Sequence, residues 1–400
     1  MKALVLILTL LSSTAFASGT WTYWVHLKAK DSKTRSEISK FIHIDQVIDD
    51  SVYAVVNEHD YKELKKNFSK LLVDHHPYKE ILPTTDMDEF EFPSGDEKFH
   101  TYQEIIDKIK ELTRTYPNLT EELTIGNSLE GRNLIGIKIS GAKNPNNKFF
   151  IPGIAFLGAH HAREHLSVEV PIMLASYLLE NYNKDARIKN LVDNREIFIV
   201  PMVNPDGAMY DIKGKKYKSW RKNRAQNRNG TSGVDLNRNY SFGWGTGGSS
   251  TSPGSDVFMG PKPFSEPETL AVKEFVEAHA NIRVLLSFHT FSELILYPWG
   301  GKYDGVGGKD QQVFEKMAQT MSKWNRYKPQ QASDLYIASG DTCDWAYGTQ
   351  NIFCFTFELS PKSMWNGGFY PGAKVIDKTF QANVNPALYL IEHAADPYAV

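Results

Sequence analysis

The chain has 400 residues, 41% of them hydrophobic and 23% charged, proportions ordinary for a globular protein with room for a large core and an accessory unit. Its formal net charge is -2, and no basic run or aromatic-interleaved basic patch stands out. Nucleic acid and an acidic membrane surface are therefore not expected as partners. Only two cysteines are present, Cys343 and Cys354. They can pair or stand buried and free, and spacing alone does not choose.

Residues 1–17 read as a signal peptide. Lys2 supplies a positive start, 3–11 an apolar core too short to span a bilayer, and Ala15-Phe16-Ala17 a cleavage site. Export follows as the expectation, to the outside or to a bacterial periplasm, with no retained anchor. Residues 18–82 read as a small α+β unit. A strand is expected at 24–27, a helix over 36–42, a second strand over 51–56 and a second helix over 61–73. His75 and His76 have no carboxylate at a ligating spacing and read as solvated loop residues. The acidic stretch 83–98 carries proline and glycine and reads as an exposed, cleavable linker. The unit before it is expected to be a removable pro-segment.

From 99 to 400 one large α/β unit is expected. Thr101 and Glu104 form a capping box, with Ile105, Ile106, Ile109 and Leu112 as the buried stripe of the first helix. Strand runs at 134–139, 153–157, 196–203, 284–288 and 352–357 alternate with helical patterns at 168–181, 266–278 and 311–323. That alternation predicts a mixed sheet covered by helices on both faces.

Three histidines crowd Gly158-Ala159-His160-His161-Ala162-Arg163-Glu164-His165, between an apolar strand and an amphipathic helix. A histidine and a carboxylate three residues apart can bind one metal ion from a turn, at the place where open α/β sheets hold ligands. His289 and Glu358 each end a later apolar run. Catalytic zinc takes three protein ligands and leaves a position open. His161, Glu164 and His289 make such a set, and Glu358 remains as a carboxylate able to take a proton from zinc-activated water.

Ordered segments then accumulate: Ser128-Leu129-Glu130-Gly131-Arg132, Asn204-Pro205-Asp206-Gly207, Trp220-Arg221-Lys222-Asn223-Arg224, Val234-Asp235-Leu236-Asn237-Arg238-Asn239, Tyr297-Pro298-Trp299-Gly300, Asp344-Trp345 and Phe355-Thr356-Phe357-Glu358-Leu359. In these segments the chain from 99 onward resembles the zinc carboxypeptidases of the pancreatic (funnelin) family, in secreted proenzyme form. The resemblance implies a carboxypeptidase-like fold and one Zn2+ held by His161, Glu164 and His289. It implies Glu358 as general base and Arg221 as stabiliser of the oxyanion. It assigns Asn237, Arg238 and Tyr336 to the substrate's terminal carboxylate, a task to which a planar guanidinium is suited. Arg163 and Phe291 fall in the next subsite, where Phe291 replaces the tyrosine usual in pancreatic members.

Leu335, Asp341 and Cys343 match the pocket for the terminal side chain. A carboxylate at Asp341 beside an apolar wall implies broad preference, for apolar and basic ends. The resemblance also implies peptide and protein C-termini as substrate, a protease that cuts the linker, and a monomer. Thr231 and Gly254 stand where the pancreatic members have a disulfide. Two rival readings remain at this stage. His161-Ala162-Arg163-Glu164-His165 also satisfies H-x-x-E-H, the pattern of inverzincin endopeptidases, if it lies on a helix. The third reading is a catalytically inactive module that grips C-termini.

Overall fold

The computed structural model describes residues 20–81, 90–142 and 151–400. The expected signal segment, the first two and the last residue of the expected pro-segment, and positions 83–89 of the expected linker lie outside the described residues. Among the described residues no helix is long and apolar enough to cross a membrane.

The N-terminal unit comprises β1 (Thr20–Lys28), α1 (Ser32–Ser39), β2 (Gln46–Ile48), β3 (Ser51–Asn57), α2 (Glu58–Phe68) and β4 (Leu72–Ile81). Its antiparallel sheet has the order β2-β3-β1-β4. Alternation sends Val25 and Leu27 of β1 into a core with Ile38, Val52, Ala54 and Leu64. Trp24 points the other way, onto Met364 and Trp365 of the larger unit. Three expectations are corrected here. The first helix starts at Ser32, because Asp31 caps it by accepting from Thr34 N–H, rather than running over 36–42. His75 and His76 belong to strand β4, not to a loop, and the second helix stops at Phe68. β4 is an edge strand, where Pro77 and exposed polar side chains are tolerated.

The larger unit runs α3 (Tyr102–Thr115), β5 (Thr120–Asn127), β6 (Asn133–Ile139), β7 (Gly153–Leu157), α4 (Leu166–Asn181), α5 (Ala186–Asn194), β8 (Glu196–Val200), α6 (Pro205–Ile212), α7 (Pro267–Ala278), β9 (Ile282–Thr290), β10 (Leu294–Tyr297), α8 (Gly308–Asn325), β11 (Lys328–Gln331), α9 (Thr342–Gln350), β12 (Phe353–Leu359) and α10 (Ile376–His393). The sheet order is β11-β10-β12-β9-β7-β8-β6-β5. β12, β9, β7 and β8 run parallel, flanked by antiparallel neighbours. The sheet is mixed, as expected. Ile154 and Phe156 of β7 enter one core with α4, α8 and α10; Ala155 and Leu157 enter another with α7 and α9. Burial on both faces is why β7, β9 and β12 read as unbroken apolar runs.

Of the segment read as an exposed linker, 90–98 lies against this unit. Phe92 is buried beside His165, and Asp96 accepts from Tyr217 Oη–H and Ala373 N–H. An acidic composition around two phenylalanines concealed that anchoring.

Candidate active site

The chemistry-bearing residues gather at the C-terminal ends of the parallel strands. Gly158 follows β7 in a tight exit, where a Cβ would collide with Ser167 O and Pro201 O. Residues 159–165 then form a non-helical turn before α4 begins at Leu166. That turn brings His161 and Glu164 to one point. β9 delivers His289 to the same point, and β12 delivers Glu358 beside it, since the two strands pair in register with Glu358 opposite His289.

His161 Nδ1 lies 2.8 Å from Glu164 Oε1, and His289 Nδ1 lies 3.0 Å from Glu164 Oε2 and 3.1 Å from His161 Nδ1. All three side chains are buried, and their ligand atoms all lie within 4.8 Å of one another. The outer nitrogens are spoken for: His161 Nε2 lies 3.1 Å from Asp235 Oδ1, and His289 Nε2 lies 3.1 Å from Ser287 Oγ. With Nε2 protonated on both rings, two Nδ1 lone pairs and two carboxylate oxygens face one another. Only a cation reconciles four acceptors at that spacing, and two imidazoles with one carboxylate suit zinc. The set can hold one metal ion. Burial raises the Glu164 carboxyl, but the His161 and His289 rings outweigh it and hold the group well below the usual range.

Asp235 is a residue the sequence reading passed over. Its Oδ1 accepts from His161 and from Asn237 N–H, while its Oδ2 accepts from Arg221 Nε at 3.0 Å and Nη2 at 2.9 Å. Arg221 Nη1 is buried without a hydrogen-bond partner, 3.9 Å from Glu164 Oε1. A cationic donor is thus held rigidly with its Nη1 amino group left over beside the metal set. Burial pushes the Glu358 carboxyl up to about 8, with Glu164 adding to it and His289, Arg221 and Arg238 opposing.

Asn237 and Arg238 form a single turn of 3-10 helix. Asn237 Oδ1 accepts from Thr342 N–H at 2.9 Å and from Thr342 Oγ–H at 2.8 Å, which turns its Nδ2 outward. Arg238 is steered by Gly248 O at 2.9 Å and Asn237 O at 2.7 Å. Asp341 caps α9 through Oδ1, accepting from Cys343 and Asp344 N–H; its Oδ2 is buried and has no partner. Cys343 is not a free thiol on the pocket floor, because it is disulfide-bonded to Cys354. Phe291 is buried, edge-on to Phe369.

The N-terminal unit covers this ground. Arg163 pairs with Asp45 at 3.0 Å, and its guanidinium lies 4.0 Å over the Phe369 ring. Tyr336 Oη–H donates to Ile44 O at 3.1 Å, and Arg35 donates to Leu335 O and Asp334 O. His43 stands 6.2 Å, ring to ring, from His161. The remaining space beneath the cover is about 810 Å³, lined by His43, Asp45, Phe291, Tyr336 and Glu358 among others. His165 Nε2 bonds to Asp211 Oδ2 at 2.9 Å, away from the metal set. With the motif off the helix and its last histidine occupied elsewhere, the H-x-x-E-H reading loses its geometry.

Comparison with known proteins agrees with this arrangement. The family model described as zinc carboxypeptidase matches residues 105–386. The chain belongs to the zinc carboxypeptidase family. It is 38% identical over 302 residues to the zinc carboxypeptidase of Saccharothrix mutabilis subsp. capreolus, covering 73% of this chain and 69% of that protein. With carboxypeptidase A1 of Sus scrofa it shares 33% identity over 307 residues, 75% of this chain and 71% of the relative. The solved structure of carboxypeptidase A from Helicoverpa armigera superposes with a TM-score of 0.75 at 25% identity, over 94% of this chain and 98% of that one. Thrombin activatable fibrinolysis inhibitor has the same fold, with a TM-score of 0.74 at 24% identity over 94% of this chain and all of that one. The protein is a metallocarboxypeptidase acting on peptide C-termini, with zinc as its metal.

Proposed function

We propose that this carboxypeptidase is exported as a monomeric proenzyme and removes one residue at a time from peptide C-termini, with broad preference for apolar and basic ends. The observation that carries the reading is the pairing of Glu358 with His289 beside the unpartnered Nη1 of Arg221.

A zinc ion held by His161, Glu164 and His289 would supply Lewis acidity for activating water and polarising the scissile carbonyl. Glu358 takes the proton of the attacking water and passes it to the leaving amine. Arg221 Nη1 donates to the carbonyl oxygen as negative charge develops on it, held for that purpose by Asp235. Arg238, Asn237 Nδ2 and the Tyr336 hydroxyl take the terminal carboxylate, so an internal peptide bond has nothing to offer them. The free oxygen of Asp341 gives a Lys or Arg side chain a partner, and the neighbouring apolar wall accepts Leu or Phe. The Cys343–Cys354 cystine closes the floor.

The N-terminal unit acts as an inhibitory pro-segment. Its Asp45 and Ile44 engage Arg163 and Tyr336, two groups a substrate needs, and a cut in the linker releases them. Nicking the linker and following hydrolysis of peptides ending in Phe, Leu, Lys, Arg or Glu tests the whole reading. Stepwise loss of C-terminal residues, with Glu ends slowest, is expected. Release of internal fragments overturns it.

A further inference from the structure

His160 is fully buried and belongs neither to the metal set nor to the carboxylate clamp, yet it touches the supports of both. On one side Ser287 Oγ lies 3.4 Å from His160 Nδ1 and 3.1 Å from His289 Nε2. On the other side Thr342 Oγ1 lies 3.1 Å from His160 Nε2 and 2.8 Å from Asn237 Oδ1. Tyr240 Oη also reaches His160 Nε2, at 2.9 Å.

Donor and acceptor chemistry orders the protons along this chain. Asn237 Oδ1 can only accept, so the Thr342 hydroxyl donates to it and takes the N–H of His160 Nε2. His160 Nδ1 is then a lone pair, which accepts from the Ser287 hydroxyl. Ser287 in turn accepts from His289 Nε2–H. That leaves His289 Nδ1 as the lone pair facing the metal set, and Asn237 Nδ2 as the donor facing outward. Every link runs in one direction. An apolar side chain would fill the same space but could satisfy neither end.

We propose that His160 is a positioning residue that holds the metal ligand His289 and the clamp residue Asn237 in their working states through one ordered hydrogen-bond chain. The inference rests on the ligand and clamp assignments proposed above. Partners behind metal-bound histidines commonly change metal affinity or activity by about 10–100-fold when removed. The Ser287 half of the chain leads to the metal, and the Thr342 half to the substrate. His160 joins them, so its loss is felt at both ends.

The test uses the full-length chain and the variants His160→Leu, His160→Gln, Ser287→Ala and Thr342→Val. Zinc dissociation is measured by chelator competition on the uncut protein, and KM and kcat after nicking, with a peptide ending in Leu. Ser287→Ala is expected to weaken zinc binding about tenfold or more with KM little changed. Thr342→Val is expected to raise KM severalfold with zinc binding intact. His160→Leu is expected to do both, about tenfold or more each, and His160→Gln to recover part of both. If His160→Leu does not fold, the opposite signatures of Ser287→Ala and Thr342→Val still decide. Zinc affinity and KM within twofold of wild type in His160→Leu overturn the proposal. So does an equal loss of both in Ser287→Ala and Thr342→Val, which marks general loosening. Failure of the carboxypeptidase reading itself looks different: the wild-type chain would then release no C-terminal residues.

Discussion

Glu358 and His289 stand opposite each other in the parallel pairing of β12 with β9, so a base and a metal ligand are set by sheet register rather than by loop conformation. Slippage of β12 by one residue would send Glu358 to the other face, away from His289. A Glu358→Gln variant keeps the shape and loses the base. It is expected to lower kcat by about 10²–10⁴-fold while one zinc per chain is retained, read by metal analysis beside turnover. Full activity would remove Glu358 from the mechanism.

Asp235 carries two duties on one carboxylate. Burial raises it, but Arg221 and His161 hold it far below the usual range, so it is ionised at any working pH. Asp235→Asn is expected to weaken zinc binding about 10–100-fold. The same change releases Arg221 and lowers kcat further, toward the 10²–10³ loss typical of a missing oxyanion donor. A variant with weakened metal but normal turnover at saturating zinc would separate the two duties.

Asp341 offers its unpartnered oxygen to one class of side chain. Asp341→Asn keeps the helix cap, since an amide oxygen also accepts from the Cys343 and Asp344 N–H groups. Peptides ending in Lys or Arg are expected to lose about tenfold or more in kcat/KM, and peptides ending in Leu or Phe to change little. Equal losses for both classes would place Asp341 outside the side-chain pocket.

Burial pushes the Asp45 carboxyl from its ordinary 3.8 up to about 6, against the pull of Arg163 and the Val55 N–H. The docked cover therefore binds that proton more tightly than a released one does. Its contribution to docking is largest in acid and is lost as pH rises through about 6. Relative to Asp45→Asn, which cannot titrate there, the wild-type cover is expected to gain roughly thirtyfold in affinity between pH 6 and pH 4. Inhibition of the nicked enzyme by its own cover, followed across that range for both chains, reads the ratio directly. A flat ratio would show that Asp45 does not change state on docking.

The cystine joins α9 to β12 across 11 positions. Replacing both cysteines by alanine is expected to cost about 3 kcal/mol, seen as a lower urea midpoint. An unchanged midpoint would show that packing alone holds α9 against the strand.

The parts of the site legible in the sequence are those whose signal is local. Continuous apolar runs located β7, β9 and β12, and the polar residue at each run's end located His161, His289 and Glu358. Asp235 escaped because a carboxylate supporting a residue 74 positions away leaves no spacing to read. The three histidines of the first turn share one local context, so the resemblance alone set His161 apart in the sequence, and the partners of His160 and His165, Thr342 and Asp211, are visible only in the structure. Strand β4 was missed because an edge strand has no obligation to be apolar. The anchoring of Phe92 hid inside an acidic stretch because two aromatic residues decide packing there, whatever the charge around them.

The Tyr336 hydroxyl has one proton, and in the covered enzyme Ile44 O holds it. In the proposed mechanism the carboxylate of the substrate needs that same proton. One donor cannot serve both at full strength, so cover and peptide exclude each other at that atom. On the proposed reading, latency would be a competition: the N-terminal unit would act as a tethered rival ligand, with its advantage in local concentration rather than in blocking the door.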